Sequence, residues 1–73
     1  MNQEVFNLEV RRFLKSFGVT AQREIEKAVE EAINSGALKG DEVLSVSATL
    51  TMRNLLPAIQ IDGKIALVGG QPA

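Results

Sequence analysis

The sequence predicts an α+β fold in which a two-helix hairpin is packed on one face of a three-stranded antiparallel β-meander (ααβββ). Three observations lead to this prediction. Two amphipathic segments with helical periodicity meet at Gly18. From residue 43 the apolar period changes from 3.6 to 2, which is typical of strands with one buried face. Turn-forming residues then divide the rest of the chain into three strands.

The first segment predicts a surface helix over about residues 3 to 17. At 100° per residue its large apolar side chains fall on one narrow stripe. Asn2 is a favourable N-cap, and Gly18 readily adopts the left-handed conformation that ends a helix. The stripe consists of Phe6, Val10, Phe13, Leu14 and Phe17.

The second segment predicts a helix that is capped by Thr20 and closed by Gly36. Because the linker of Gly18 and Val19 is so short, the two helices must be neighbours. All three aromatic residues of the chain lie in the first helix and small alanines in the second, an arrangement suited to close contact. The second stripe consists of Ala21, Ile25, Ala28, Val29, Ala32 and Ile33.

The first predicted strand alternates apolar and polar residues from Leu44 to Met52. Arg53 and Asn54 predict the turn that follows, since Asn tolerates a left-handed conformation better than other non-glycine residues. Pro57 has no N–H to donate to a ladder, so we expect pairing in the second strand to begin at Ala58.

Asp62 and Gly63 predict a second turn, before the third strand. A two-residue loop there would turn the preceding isoleucines away from the face that carries Ile65 and Leu67. We therefore expect a three-residue connection with Gly63 as the left-handed residue of a bulge, which restores one apolar face.

These elements predict one compact domain over residues 1–68 and a flexible C-terminal tail over residues 69–73. A single interior shared by helices and strands is expected. Its predicted members are Phe6, Val10, Phe13, Leu14, Phe17, Ile25, Val29, Ile33, Leu38, Val46, Leu50, Ile59, Ile61, Ile65 and Leu67.

Composition argues against most catalytic chemistry. The chain has 73 residues with eight basic and nine acidic side chains, and it has no His, Cys, Trp or Tyr. A domain of about this size buries only about 60% of its unfolded surface, so no substrate-sized cavity is expected. Without cysteine or histidine there is no thiolate, disulfide, imidazole base or Cys/His zinc site. We expect a cytoplasmic protein without a signal peptide or membrane span.

The remaining polar residues do not predict an enzyme. Ser45 and Ser47 have no histidine base, and a lysine base would need desolvation. Asp41 and Glu42 adjoin in one loop, but they supply too few oxygens for calcium. The sequence therefore predicts no catalytic, cofactor-binding or metal-binding residue.

The order of helix, glycine turn and Thr20-capped helix makes a helix-turn-helix nucleic-acid-binding protein the alternative function. Its details argue against this. Leu14 stands where close helix crossing favours a small residue, and Glu24 and Lys27 stand where apolar residues are favoured. The second helix is also mainly acidic, whereas phosphate binding uses Lys and Arg.

Outward-facing apolar residues predict a small non-catalytic domain that acts through protein–protein contacts or self-association. Leu8 lies about 160° from the centre of the first stripe, among basic residues. This basic face is either a docking patch for an acidic partner or second copy, or simply a solvated face. A sheet that is apolar on both faces usually has something against the second one. The candidate interaction residues are Leu8, Arg11, Arg12, Lys15, Leu56, Ala58, Ala66 and Val68.

Short motifs along the chain carry a family resemblance. They are Val5-Phe6, Arg12-Phe13-Leu14-Lys15, Gly18-Val19-Thr20, Gln22 to Val29, Leu38-Lys39-Gly40 and Ile61-Asp62-Gly63. From Asn2 to about Leu67 the chain resembles a family of short, uncharacterised bacterial proteins, a domain of unknown function. The resemblance implies the same two-helix, three-strand domain and no activity. The chain departs from the family pattern at Leu56-Pro57-Ala58, where relatives carry an acidic alternating strand, and in its glycine-rich tail.

Overall fold

A computed structural model describes residues 1–69, and the chain divides into two compact units, Met1–Ala37 and Leu38 onward. The first unit contains one helix, α1 (Gln3–Asn34). The second contains an antiparallel hairpin of β1 (Val43–Met52) and β2 (Leu56–Ala66). The predicted ααβββ fold is therefore wrong in both halves. The two predicted helices are one helix, and the last two predicted strands are one strand.

The outer ends of the helical region are as predicted. The Asn2 Oδ1 atom accepts a hydrogen bond from the Val5 backbone N–H at 3.1 Å, which caps the first turn. At the other end Ser35 is the C-cap, and Gly36 follows with a φ of +84°. This left-handed position suits glycine, because a Cβ atom is strained there.

The predicted break at Gly18 is wrong, because α1 continues through it for a total of 32 residues. At 1.5 Å per residue the helix is about 48 Å long. A glycine inside a helix costs only about 1 kcal/mol relative to alanine. A break there would instead leave about four N–H and four C=O groups without helical partners. The continuous helix is therefore the less costly conformation.

Charged residues recur along the whole of α1. Within residues 1–69, no helix combines the length and the apolar content that crossing a membrane requires.

Strand β1 has the predicted alternation, with Leu44, Val46, Ala48 and Leu50 half-buried between exposed neighbours. Residues 53–55 connect it to β2, and the Leu55 N–H donates to the Met52 carbonyl at 3.1 Å.

The left-handed residue of this turn is Asn54, with a φ of +66°, as predicted. Strand β2 begins at Leu56, which pairs with Met52, so the expectation that pairing begins at Ala58 is wrong. The register is irregular between Leu50 and Met52 and is regular from Ile59 onward.

The predicted turn at Asp62 and Gly63 is wrong, because both residues lie inside β2, where Gly63 pairs with Val46. In an uninterrupted strand Ile59, Ile61 and Ile65 already share one face, since side chains alternate with a period of two. The common apolar face was predicted correctly, but the bulge is not needed to produce it.

No residue among residues 1–69 is buried, so neither unit encloses a core of its own, and the predicted interior shared by helices and strands stays a prediction. Phe6 and Phe17 are each 47% exposed and Phe13 is 56% exposed. The predicted members that are half-buried are Ile25, Val29, Leu38, Val46, Leu50, Ile65 and Leu67. Amphipathic patterning identified the apolar face of each unit.

Replacing Gly63 with Ala is expected to raise the free energy of unfolding by about 0.5 kcal/mol, because alanine restricts the unfolded chain more than glycine does. A Cβ atom at this position would lie 3.5 Å from Val46 Cγ1, an ordinary van der Waals contact. Urea unfolding of the variant checks this. The control is Gly40→Ala, which should be destabilising because the φ of Gly40 is +112°. A loss of stability for Gly63→Ala would instead favour a left-handed turn residue at position 63.

Candidate functional site

The main exposed apolar surface of the first unit is a stripe along α1. Because the helix is continuous, the two predicted stripes meet at Phe17 and Ala21, which are four residues apart and therefore neighbours on one face. We call this surface the helix stripe. It consists of Phe6, Val10, Phe13, Leu14, Phe17, Ala21, Ile25, Ala28, Val29, Ala32 and Ile33.

The two halves of the helix stripe differ in side-chain size. The N-terminal half contains all three phenylalanines of the chain, and each of them is exposed. The C-terminal half contains three alanines, of which Ala21 and Ala32 are half-buried. Sequence reasoning identified these residues but assigned them to an interior rather than to a contact surface.

Charge is also distributed unevenly along α1. Residues 3–18 contain three basic and two acidic residues, whereas residues 19–34 contain two basic and four acidic residues. The two halves therefore carry opposite net charge, +1 and −2. Within the N-terminal half, Arg12 and Glu9 form an ion pair at 3.0 Å between adjacent turns of the helix.

The four candidate interaction residues in α1 lie together on the side away from the phenylalanines of the helix stripe. Leu8 is 55% exposed, and Arg11, Arg12 and Lys15 surround it at helical spacing. One of these cations, Arg12, already has the Glu9 carboxylate as a partner. This basic face contains one isolated large apolar side chain.

The four candidate residues in the hairpin do not form one apolar patch. Ala58 and Ala66 share a face of β2, but three polar residues of the same parity separate them. Leu56 is half-buried next to the turn, and Val68 lies beyond the end of the strand. The expectation of a second apolar face depended on the predicted three-stranded meander.

The polar face of the hairpin is an open trough with its own hydrogen bonds. The Lys64 Nζ atom donates to Ser45 Oγ across the strands at 2.7 Å, and Gln60 Nε2 donates to Asp62 Oδ1 at 2.8 Å. A general base would have to accept the serine proton, whereas Lys64 donates to it and both side chains are exposed. This contact supports strand pairing rather than nucleophilic chemistry.

The Glu42 carboxylate, one of the two acidic groups in the predicted loop, has a structural role. It accepts hydrogen bonds from the backbone N–H groups of Lys39, at 2.9 Å, and Gly40, at 3.0 Å. These two bonds lower the pKa of Glu42 below its ordinary value of 4.5. Through these two hydrogen bonds Glu42 anchors the loop before β1.

Across residues 1–69 no three acidic side chains are grouped in a way that could hold a metal ion.

Glu42 predicts a specific dependence of stability on pH. Its pKa is lower in the folded chain, so the charged form stabilises the fold above pH 4.5, and this contribution is lost as the pH falls through the folded pKa. The Glu42→Gln variant is expected to melt at a lower temperature than the wild type at neutral pH and to lose less stability on acidification. Thermal unfolding at neutral and acidic pH measures this, with Glu30→Gln as the control on α1. Equal acid sensitivity of the wild type and Glu42→Gln would contradict this role.

The helix-turn-helix alternative has no structural basis in α1. Its turn was predicted at Gly18 and its second N-cap at Thr20, and both residues are inside the helix. A recognition helix needs a first helix that crosses it.

The comparisons with known proteins give one match. A model of a family described as "Family of unknown function (DUF6494)" covers residues 1–68. No curated protein matches the chain, and no solved structure matches it. The resemblance to a domain of unknown function is therefore confirmed, although the two-helix, three-strand fold that it implied is not. The chain belongs to the DUF6494 family, a family of unknown function.

Proposed function

We propose that this chain is a small non-catalytic domain that acts through self-association, with the helix stripe as the contact surface. The observation that carries this proposal is the exposure of all three phenylalanines along one face of a continuous helix. Contiguous apolar patches on soluble chains mark sites of interaction. Isolated exposed residues such as Leu8 do not require such an explanation.

Stability supports the same proposal. A two-stranded hairpin is marginally stable in water on its own, and most helical stability in proteins comes from packing of the apolar face. None of residues 1–69 is buried, so neither unit encloses an apolar core that would supply this stabilisation by itself. Contact with a second chain would supply it.

The helix stripe is large enough for a weak contact between two chains. A stripe about 100° wide, on a helix about 12 Å across, covers about 420 Å² over the length of about 40 Å from Phe6 to Ile33. Two such stripes together remove about 850 Å² from water, which lies in the range of small, weakly associating interfaces.

A second copy is the partner that fits best. It offers an apolar stripe of the same length. The net charge of its C-terminal half is opposite in sign to that of the N-terminal half on the first copy.

We also propose that the protein acts in the cytoplasm, as expected from the sequence.

Sedimentation velocity from low micromolar to near-millimolar concentration tests the proposal. We expect the weight-average mass to rise from one chain to two as the concentration increases. Circular dichroism at the same concentrations monitors α1. A chain that remains monomeric over the whole range while α1 stays helical would contradict self-association.

A further inference from the structure

We infer that two copies pair antiparallel along α1, with the aromatic half of each helix stripe on the alanine half of the other. This inference rests on the proposed self-association and adds its orientation and register. It follows from the side-chain sizes, the charges and the continuity of the helix.

Side-chain size selects one register. When Phe17 of one copy lies opposite Ala21 of the other, Val10 lies opposite Ala28 and Phe6 opposite Ala32. The same register places Phe13 opposite Ile25, so two of the three phenylalanines, together with Val10, face alanines, and the two-fold axis passes next to Val19. Large side chains facing small ones fill the space between helices whose axes are about 8–10 Å apart.

A parallel pair packs less well. In a parallel pair each phenylalanine would lie beside the same phenylalanine of the other copy, and each alanine beside the same alanine. The aromatic end would then be overpacked and the alanine end would contain voids, and both errors are destabilising.

Electrostatics favour the same orientation. In the antiparallel pair the half with net charge +1 lies beside the half with net charge −2. A parallel pair would place the two acidic halves together and align the two helix dipoles, and both effects are repulsive.

Helix continuity explains why these contacts require two chains. The aromatic half and the alanine half of α1 have complementary side-chain sizes. The two-helix hairpin predicted from the sequence would require this complementarity. Because α1 continues through Gly18, its two halves cannot meet within one chain. A second copy supplies the missing half, as in domain swapping.

Pulsed dipolar spectroscopy of spin-labelled chains tests the orientation. The chain has no cysteine, so a single introduced cysteine is the only labelling site. Glu4→Cys and Asn34→Cys replace exposed residues at opposite ends of α1. With one label in each chain, every measured distance is between copies.

In the antiparallel register Glu4 of one copy lies level with Asn34 of the other. Each variant alone should therefore give a distance of about 45 Å, from the rise of 1.5 Å per residue. A mixture of the two variants should add a distance below about 20 Å, set by the helix separation and the label lengths.

The other outcomes separate the orientation from the association. Short distances in each single-variant sample would overturn the antiparallel orientation and leave self-association intact. Long distances in the single-variant samples without a short distance in the mixture would overturn the register. No dipolar coupling in any sample, together with a monomeric sedimentation mass, would contradict the proposed function itself.

Discussion

Replacing Phe17 with Glu is expected to weaken self-association by about a thousandfold. Each copy of the pair would lose the burial of one phenylalanine side chain, worth about 2 kcal/mol, so the pair loses about 4 kcal/mol. Phe17 lies near the midpoint of α1, where it is close to the two-fold axis of the inferred pair. Glutamate is a good helix former, so the loss would not come from reduced helix propensity. Sedimentation velocity measures the change.

The matched control is Leu8→Glu, which makes a similar change on the opposite side of the same helix. Leu8 is 55% exposed and lies among basic residues, so this variant should associate as tightly as the wild type. If Leu8→Glu disrupts association and Phe17→Glu does not, the basic face is the contact surface. That result would contradict the assignment of the helix stripe.

Replacing Gly18 with Ala is expected to stabilise the chain by about 1 kcal/mol, the difference in helix propensity between the two residues. For a domain of this size, that change corresponds to a rise in Tm of about 4–8 °C. Apart from the chain neighbours and the surrounding backbone of α1, no atom lies within 4 Å of a Cβ atom placed at Gly18, so the added methyl group meets no obstacle. Thermal unfolding at a fixed chain concentration measures the effect.

Gly36→Ala provides the comparison of opposite sign. Gly36 has a φ of +84° just beyond the end of α1, so alanine there should lower the stability by about 1 kcal/mol. If Gly18→Ala destabilises the chain as Gly36→Ala does, then Gly18 is a left-handed helix terminator. That outcome would support two helices rather than one.

The parts of the fold that the sequence predicts correctly have local physical causes. The N-cap at Asn2, the left-handed Gly36 and the left-handed Asn54 each depend on a few neighbouring residues. The alternation in β1 also follows directly from its residues. Such features can be predicted because no distant contact is needed to produce them.

The errors concern two glycines that were interpreted as breaks. Gly18 is inside α1 and Gly63 is inside β2. Glycine permits a turn but does not require one, and its cost inside an element is only about 1 kcal/mol. The decision therefore depends on the backbone hydrogen bonds of the whole element, which a local pattern does not include.

The candidate site was predicted only in part. Helical periodicity located the apolar face that contains Phe6, Phe13 and Phe17, but periodicity does not indicate what covers that face. The sequence assigned these residues to an interior and placed the candidate contact surfaces on the residues around Leu8 and on the outer face of the predicted sheet. The two halves of the helix stripe are complementary in side-chain size. The apolar periodicity of the sequence is the same whether these halves contact each other within one chain or between two chains.

The most direct test of this account is the dependence of thermal unfolding on chain concentration, followed by far-ultraviolet circular dichroism. If the helix stripe is buried between two copies, folding is coupled to association and the Tm must rise as the concentration increases. A fully helical chain whose Tm is the same at every concentration would contradict the account.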